Sequence, residues 1–206
     1  MSVSFAERPL IGLTGGIACG KSAVSKLLAK QGAKIVDADR IAREVLSPHS
    51  EGLRQVVARW GETLVDELGK LDRAALGAII FSAPEERRAL EEITHPLIAA
   101  ESARQVEDAL AEGAPLVVYD AALLIEAGRA DDFRPLVVVT TSASTQLARI
   151  MSRDGFSLEE ARSRLDAQLP LAQKEALADH LIINDGTWED LELSVDLLWK
   201  HLLLSV

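Results

Sequence analysis

Apolar positions along this 206-residue chain change their period in a regular way. Leu10 to Leu13 is a short continuous apolar run. Glycines follow it, and then Ala23, Val24, Leu27 and Leu28 at helical spacing, which predicts a buried strand feeding an amphipathic helix. Gln31-Gly32 ends that helix, and Lys34 to Val36 forms a second strand, closing a βαβ-type start. Pro115 to Asp120 and Leu136 to Thr140 are apolar almost throughout, as strands of a parallel sheet covered on both faces are, and Leu181 to Ile183 is the last strand. Asp154-Gly155 ends the helix after the fourth strand, and Ser157 with Glu160 predicts a capping box for the next. Arg164, Gln168 and Pro170 then fall on a short helical hairpin. From Thr187 to Leu204 the closing helix is amphipathic, with Trp188, Leu191, Val195, Leu198 and Leu202 on its core side.

Residues 47 to 112 break the strand-helix alternation. Ser47-Pro48 and Gly52 open a helix carrying Leu53, Val56, Val57 and Trp60, which Gly61 ends. Another starts at Leu71-Asp72-Arg73 and ends near Phe81-Ser82. A third begins at Pro84 and is expected to be interrupted at Thr94-His95-Pro96, since proline removes a helical N–H, before running on to Ala111. The expectation is therefore an α/β three-layer fold with a parallel five-stranded sheet. Its core would comprise residues 8–46, 113–143 and 178–206, with a helical substrate-binding subdomain inserted at 47–112 and a helical lid at 144–177, all in one domain.

Composition narrows the classes. A 48% hydrophobic content supports a sizeable core, and one cysteine excludes an internal disulfide or a cysteine-rich metal site, so a reducing compartment is the simplest setting. No apolar run approaches the ~20 residues of a membrane span, and the polar N-terminus lacks a signal-peptide core; a cytoplasmic protein is expected. A net charge of −10 argues against general nucleic-acid binding, and nothing indicates a membrane or an obligate protein partner. Residues 1–50 nevertheless carry seven Lys/Arg against four Asp/Glu. This local basic excess suits an anionic small molecule as well as it suits a solvated face.

The chemistry is concentrated after the first strand, where Gly15 to Ser22 reads GGIACGKS and fits the P-loop pattern GxxxxGK[ST]. Polyphosphate is bound by a ring of backbone N–H groups and a helix N-terminus, which needs small residues and a backbone able to take positive φ. Lys21 can follow the outer phosphates as a point charge, and the Ser22 hydroxyl can hold Mg²⁺. Asp37 and Asp39 follow the second strand, at an end where parallel sheets place ligands; Asp37 reads equally as a helix N-cap and Asp39 as a favourable first-turn acid. Asp120 ends the third strand, either as a Walker B acid serving Mg²⁺ through water or as a strand-terminal cap. Arg149 and Arg153 share a helix face, aimed at transferring phosphates or at solvent. His95 at the helix break reads on its own as a buried structural residue as readily as a ligand-facing one.

In order and spacing these elements resemble the dephospho-CoA kinase family over nearly the whole chain. The resemblance rests on LTGGIxxGKS at 13–22, VDAD at 36–39, HP at 95–96, LLxE at 123–126, Arg149 with Arg153-Asp154, RLxxQxP at 164–170, Lys174, and ADHLIxNxG at 178–186. It implies an ATP- and Mg²⁺-dependent kinase that phosphorylates the ribose 3′-hydroxyl of dephospho-CoA. ATP would be bound by Gly15, Gly16, Ala18, Cys19, Gly20, Lys21, Ser22, Ala23, Arg153 and Asn184. Thr14 and Arg149 would line the transfer site. Asp39 would act on the hydroxyl as a base or only orient it, while Asp37, His95 and Arg164 would contact the substrate. This chain has Ala18 and Cys19 where the family usually has glycine and serine, and Ala122 where it usually has proline.

Other P-loop small-molecule kinases, of the nucleoside monophosphate or shikimate type, share the loop and the lid arginines but are not expected to share the DAD, HP and NxG set. A GTPase switch is disfavoured by the lack of an NKxD tetrapeptide, and an inactive scaffold by the presence of Lys21, Ser22, Asp39 and Asp120. The loop dipoles and Lys21 are expected to lower the pKa of Cys19 and make it reactive if it is reachable.

Overall fold

The computed structural model describes residues 9–205, so positions 8 and 206 of the expected core lie outside the described residues. β1 (Leu10–Gly15) is buried at every position. With β2 (Lys34–Asp37), β3 (Val117–Asp120), β4 (Leu136–Thr140) and β5 (His180–Ile183) it forms a five-stranded parallel sheet in the order β2-β3-β1-β4-β5. β1 sits between β3 and β4, with Leu13 opposite Asp120 on one side and Gly15 opposite Val139 on the other. The carboxyl ends of β3 and β4 thus flank the loop that leaves β1, which is where open parallel sheets bind ligands.

The helices are α1 (Lys21–Lys30), α2 (Ala38–Glu44), α3 (Glu51–Trp60), α4 (Arg73–Ser82), α5 (Pro84–Ala111), α6 (Ala143–Asp154), α7 (Leu158–Asp166), α8 (Leu171–Glu175) and α9 (Trp188–Ser205). α1 buries Val24, Leu27 and Leu28, and α9 buries Leu191, Val195, Leu198 and Leu202. Both faces join Ile11, Leu13, Val118 and Val139 of the sheet in one core. Each fully buried Val or Leu contributes roughly 1.5–3 kcal/mol. Trp188, expected in that core, is instead 51% exposed. As the first residue of α9 it precedes Leu191, where the part of the helix that packs on the core begins.

By compactness the chain divides into residues 1–36 with 108–206, and residues 37–107. α2, grouped with the nucleotide-binding core in the sequence reading, falls in the second unit. That unit has its own apolar centre in Leu46, Leu53, Val56, Leu64, Leu71 and Leu76. Ser50 caps α3 by accepting from Leu53 N–H, and Asp72 caps α4 by accepting from Ala74 and Ala75 N–H.

α5 corrects the expected break. It runs unbroken from Pro84 to Ala111 with Pro96 inside it. Proline deprives only the Glu92 carbonyl of its donor, and Glu92 and Pro96 are both exposed, so water can serve that carbonyl. Thr94, one turn after Leu90, donates its hydroxyl to the Leu90 carbonyl at 2.8 Å. His95 is exposed, which removes its buried structural reading.

Candidate active site

The loop after β1 lines a cavity of about 490 Å³, together with Ala122, Gln168 and α6 residues Arg149, Ser152 and Arg153. Two glycines in it are dictated by contacts. A Cβ on Gly15 would lie 2.5 Å from the Val139 carbonyl oxygen, and one on Gly20, at φ +94°, would lie 2.2 Å from Asn184 Nδ2. Ala18 also adopts the left-handed region, at φ 59°. What Ala18 decides here is therefore backbone conformation and not size alone, at a cost of roughly 1 kcal/mol relative to glycine.

Buried side chains hold the loop carbonyls. Gln146, 3% exposed, donates from Nε2 to the Ile17 carbonyl at 2.8 Å, and Asn184, 7% exposed, donates from Nδ2 to the Cys19 carbonyl at 2.8 Å. A trans peptide sets its N–H opposite its C=O, so these bonds fix the N–H groups of Ala18 and Gly20 on the other side of the backbone. Both residues line the cavity. Arg149 reaches the Ala18 carbonyl at 3.3 Å and the Asn184 carbonyl at 3.0 Å, while Cys19 N–H closes a turn on the Gly16 carbonyl. Asn184 is fixed in turn, since Thr141 Oγ1 donates to its carbonyl at 3.0 Å and Asp185 accepts from Thr141 Oγ1 and Ser142 N–H. Those bonds hold the Asp185 carboxyl down at about 2, the Thr141 hydroxyl contributing most.

α1 begins with Gly20 as N-cap, without a capping side chain and without an acidic residue in its first turn. Its dipole and first N–H groups are therefore directed at the cavity with no acidic residue of the same turn to oppose them, an arrangement suited to an anion. Lys21 Nζ is ion-paired with Asp120, which is buried at the end of β3. Ser22 is exposed and lines the cavity. A hydroxyl and a carboxylate are hard oxygen donors of the kind Mg²⁺ takes, and among the described residues no cluster of three His, Cys, Asp or Glu side chains stands ready to hold a metal by itself. The donor set fits an ion that takes its remaining ligands from phosphate and water.

The structure thus gathers Gly15, Gly16, Ala18, Gly20, Lys21, Ser22, Arg149 and Arg153 on one cavity, with Asn184 and Cys19 supporting it from behind. Arg153, exposed, pairs with Asp154 at 2.7 Å. Thr14 is fully buried and donates to the Ala122 carbonyl at 3.2 Å, tying β1 to the segment after β3. Ala23 N–H closes the first turn of α1 on the Gly20 carbonyl. Arg164 is exposed and stacks over the Phe156 ring at 4.3 Å. In the second unit Asp37 caps α2, accepting from Arg40 N–H at 2.8 Å, and Asp39 lies half-buried in the first turn.

Cys19 reverses an expectation. Its side chain is wholly inside the core, and burial pushes the thiol up to about 11, outweighing the Gly16 backbone bond and the charges of Lys174 and Arg149 that act to lower it. The sulfur lies in the core behind the loop, where burial outweighs the backbone dipoles that reach it.

Sequence reasoning missed Gln146 and Gln168. Gln146 carried a faint signal, a polar residue four positions before buried Ile150 on the same helical face. Gln168 lay within the RLxxQxP run but was given no role.

The comparisons with known proteins agree. A family model described as Dephospho-CoA kinase matches residues 9–190. A protein named Dephospho-CoA kinase from Geobacter sulfurreducens is 45% identical over 190 residues, 92% of this chain and 96% of that protein. One of the same name from Geobacter metallireducens is 46% identical over 192 residues, 93% and 96% of the two chains. The solved structure of dephospho-CoA kinase from Campylobacter jejuni superposes with a TM-score of 0.72 at 30% identity, covering 94% of this chain and 96% of that one. With the motif order, the sheet and the loop geometry in agreement with these likenesses, the chain belongs to the dephospho-CoA kinase family.

Proposed function

We propose that the cavity after β1 binds the phosphates of ATP, and that the family's reaction, transfer of the γ-phosphoryl group to the ribose 3′-hydroxyl of dephospho-CoA, proceeds there as the last step of coenzyme A synthesis. The observation that carries the reading is the loop backbone, whose Ile17 and Cys19 carbonyls are held by Gln146 and Asn184 so that the Ala18 and Gly20 N–H groups are set for an anion before it arrives. Such preorganisation suits a phosphoryl transfer, in which positioning and charge neutralisation supply most of the rate.

In this reading Lys21 exchanges Asp120 for phosphate oxygens when the nucleotide enters. Ser22 directly, and Asp120 through water, would hold Mg²⁺, which when bound neutralises charge across the phosphates. Arg149 meets charge that builds up on the transferring group, and Arg153 contributes ATP contacts once it leaves Asp154. Asp39 orients the 3′-hydroxyl or accepts its proton, with Asp37, His95 and Arg164 on the substrate and Thr14 steadying the loop beside the transfer site. The 144–177 segment serves as the lid. We place the reaction in the cytoplasm, where a free thiol such as Cys19 remains reduced.

The test is ADP release with Mg-ATP, comparing dephospho-CoA with adenosine, AMP and shikimate as acceptors. Dephospho-CoA is expected to be preferred by orders of magnitude; equal or better turnover with another acceptor would overturn the substrate assignment. Asp39→Asn should lower kcat more than ATP affinity, with Asp37→Asn milder, and the opposite order would transfer the role to Asp37.

A further inference from the structure

Gln168 stands on the link between α7 and α8, lines the cavity, and accepts the Ile17 N–H at 2.8 Å through Oε1. The other end of the same residue is taken as well, because Gln146 donates to the Ile17 carbonyl at 2.8 Å. Ile17 is therefore clamped between two amides, one from the buried Gln146 side chain of α6 and one from the hairpin. Other polar ties of the hairpin go elsewhere: Lys174 and Leu169 N–H to Glu126, and Glu175 to Thr140. Gln168 makes a hydrogen bond that joins the hairpin to the phosphate-loop backbone.

The residue type suits that place. A neutral amide oxygen can accept from a loop N–H beside bound phosphates without repelling them, whereas a carboxylate of the same length would bring a negative charge into an anion site. Asparagine would fall one methylene short. We propose that Gln168 is a positioning residue for phosphoryl transfer, which through the Ile17 N–H fixes the α7–α8 hairpin in register with the phosphate loop. Transfer geometry is sensitive to displacements of about 1 Å, so loosening this register slows the chemical step more than it weakens nucleotide binding.

The inference rests on the assignment of the cavity to ATP, and the experiment reads the two separately. In Gln168→Met, which keeps length and volume but loses the oxygen, amide exchange measured without nucleotide should quicken at Ile17 by about tenfold or more, while sheet amides are unchanged. With Mg-ATP and dephospho-CoA, kcat should fall about tenfold and the ATP KM should stay within about threefold. Tm should move by no more than about 2 °C. Gln168→Glu retains the acceptor, so Ile17 stays protected and kcat stays within about threefold, but the ATP KM rises about tenfold from charge repulsion. An Ile17 amide that stays protected in Gln168→Met, or is freed without a fall in kcat, overturns the proposal. So does a loss of kcat that tracks a general loss of protection across the sheet, which marks a structural role. Should Gln168→Met fail to fold, the Glu variant decides: a kcat lost with Ile17 still protected is equally fatal.

Discussion

The loop after β1 and the α7–α8 hairpin are held in different ways. The loop is over-determined: its carbonyls at Ile17, Ala18 and Cys19 are each taken by a side chain, and Gly15 and Gly20 leave no room even for a methyl group. The hairpin, mostly exposed, is tied down by individual side chains, chiefly Gln168 on Ile17 and buried Lys174 on Glu126. Damage to the loop should therefore appear in chemistry, and damage to the hairpin ties in stability or register. The lesson is that one cavity can combine a loop held rigidly at several points with a neighbouring hairpin that depends on a few contacts.

The sharpest break is Lys21→Ala. It should lower kcat at least about a hundredfold by removing a charge from the phosphates. It also removes the Lys21 charge from buried Asp120, so Tm should fall by several degrees and recover in the Lys21→Ala/Asp120→Asn double variant while kcat does not. Near-normal turnover would remove the loop from the chemistry.

Glu126→Ala tests the hairpin. Lys174 is fully buried with Nζ 2.6 Å from Glu126 Oε1, a contact that is ionic without the alignment of a hydrogen bond. Losing the carboxylate strands a buried ammonium, and urea unfolding should show a loss of about 3 kcal/mol. If stability holds while ATP KM alone rises, Glu126 belongs to the site instead.

Arg149 and Arg153 share a helix face yet differ in attachment, since Arg149 bonds two backbone carbonyls and Arg153 pairs with its exposed neighbour Asp154. Arg149→Ala should lower kcat on the order of tenfold to a hundredfold and Arg153→Ala severalfold, with the double variant less than additive. Full additivity would mean that they act at separate places.

Ala18→Gly sharpens the account of the loop. Relief of a left-handed alanine should raise stability by up to about 1 kcal/mol in urea unfolding, with turnover retained. A destabilised glycine variant would show that the alanine conformation is not strained here.

The smallest effect concerns pH. Asp185 anchors the Asn184 turn, and its carboxyl is lowered from 3.8 to about 2. A depressed carboxyl contributes stability that is present above its unfolded value and lost as the pH falls through the folded one. Wild type should therefore lose more stability than Asp185→Asn between about pH 4 and pH 2. Parallel acid-unfolding curves would release Asp185 from its anchoring role.

The sequence by itself determined the strands and the position of the glycine-rich loop, because those depend on local rules: continuous apolar runs for buried strands, glycines where the backbone turns, and a capping box at Ser157 and Glu160 that the structure reproduces. It also placed Asp120 at a strand end. Other features were decided only in three dimensions. Pro96 sits inside an unbroken α5 because its side of the helix meets solvent, and Trp188 is exposed because it begins α9 ahead of the packed segment. Cys19 is shielded rather than activated because its sulfur lies in the core behind the loop, where burial outweighs the backbone dipoles. Gln146 and Gln168 find Ile17 across 129 and 151 residues of sequence. Burial and hydrogen-bond pairing at such separations are set by packing, and a local pattern of residue types does not encode which distant backbone group a side chain will meet.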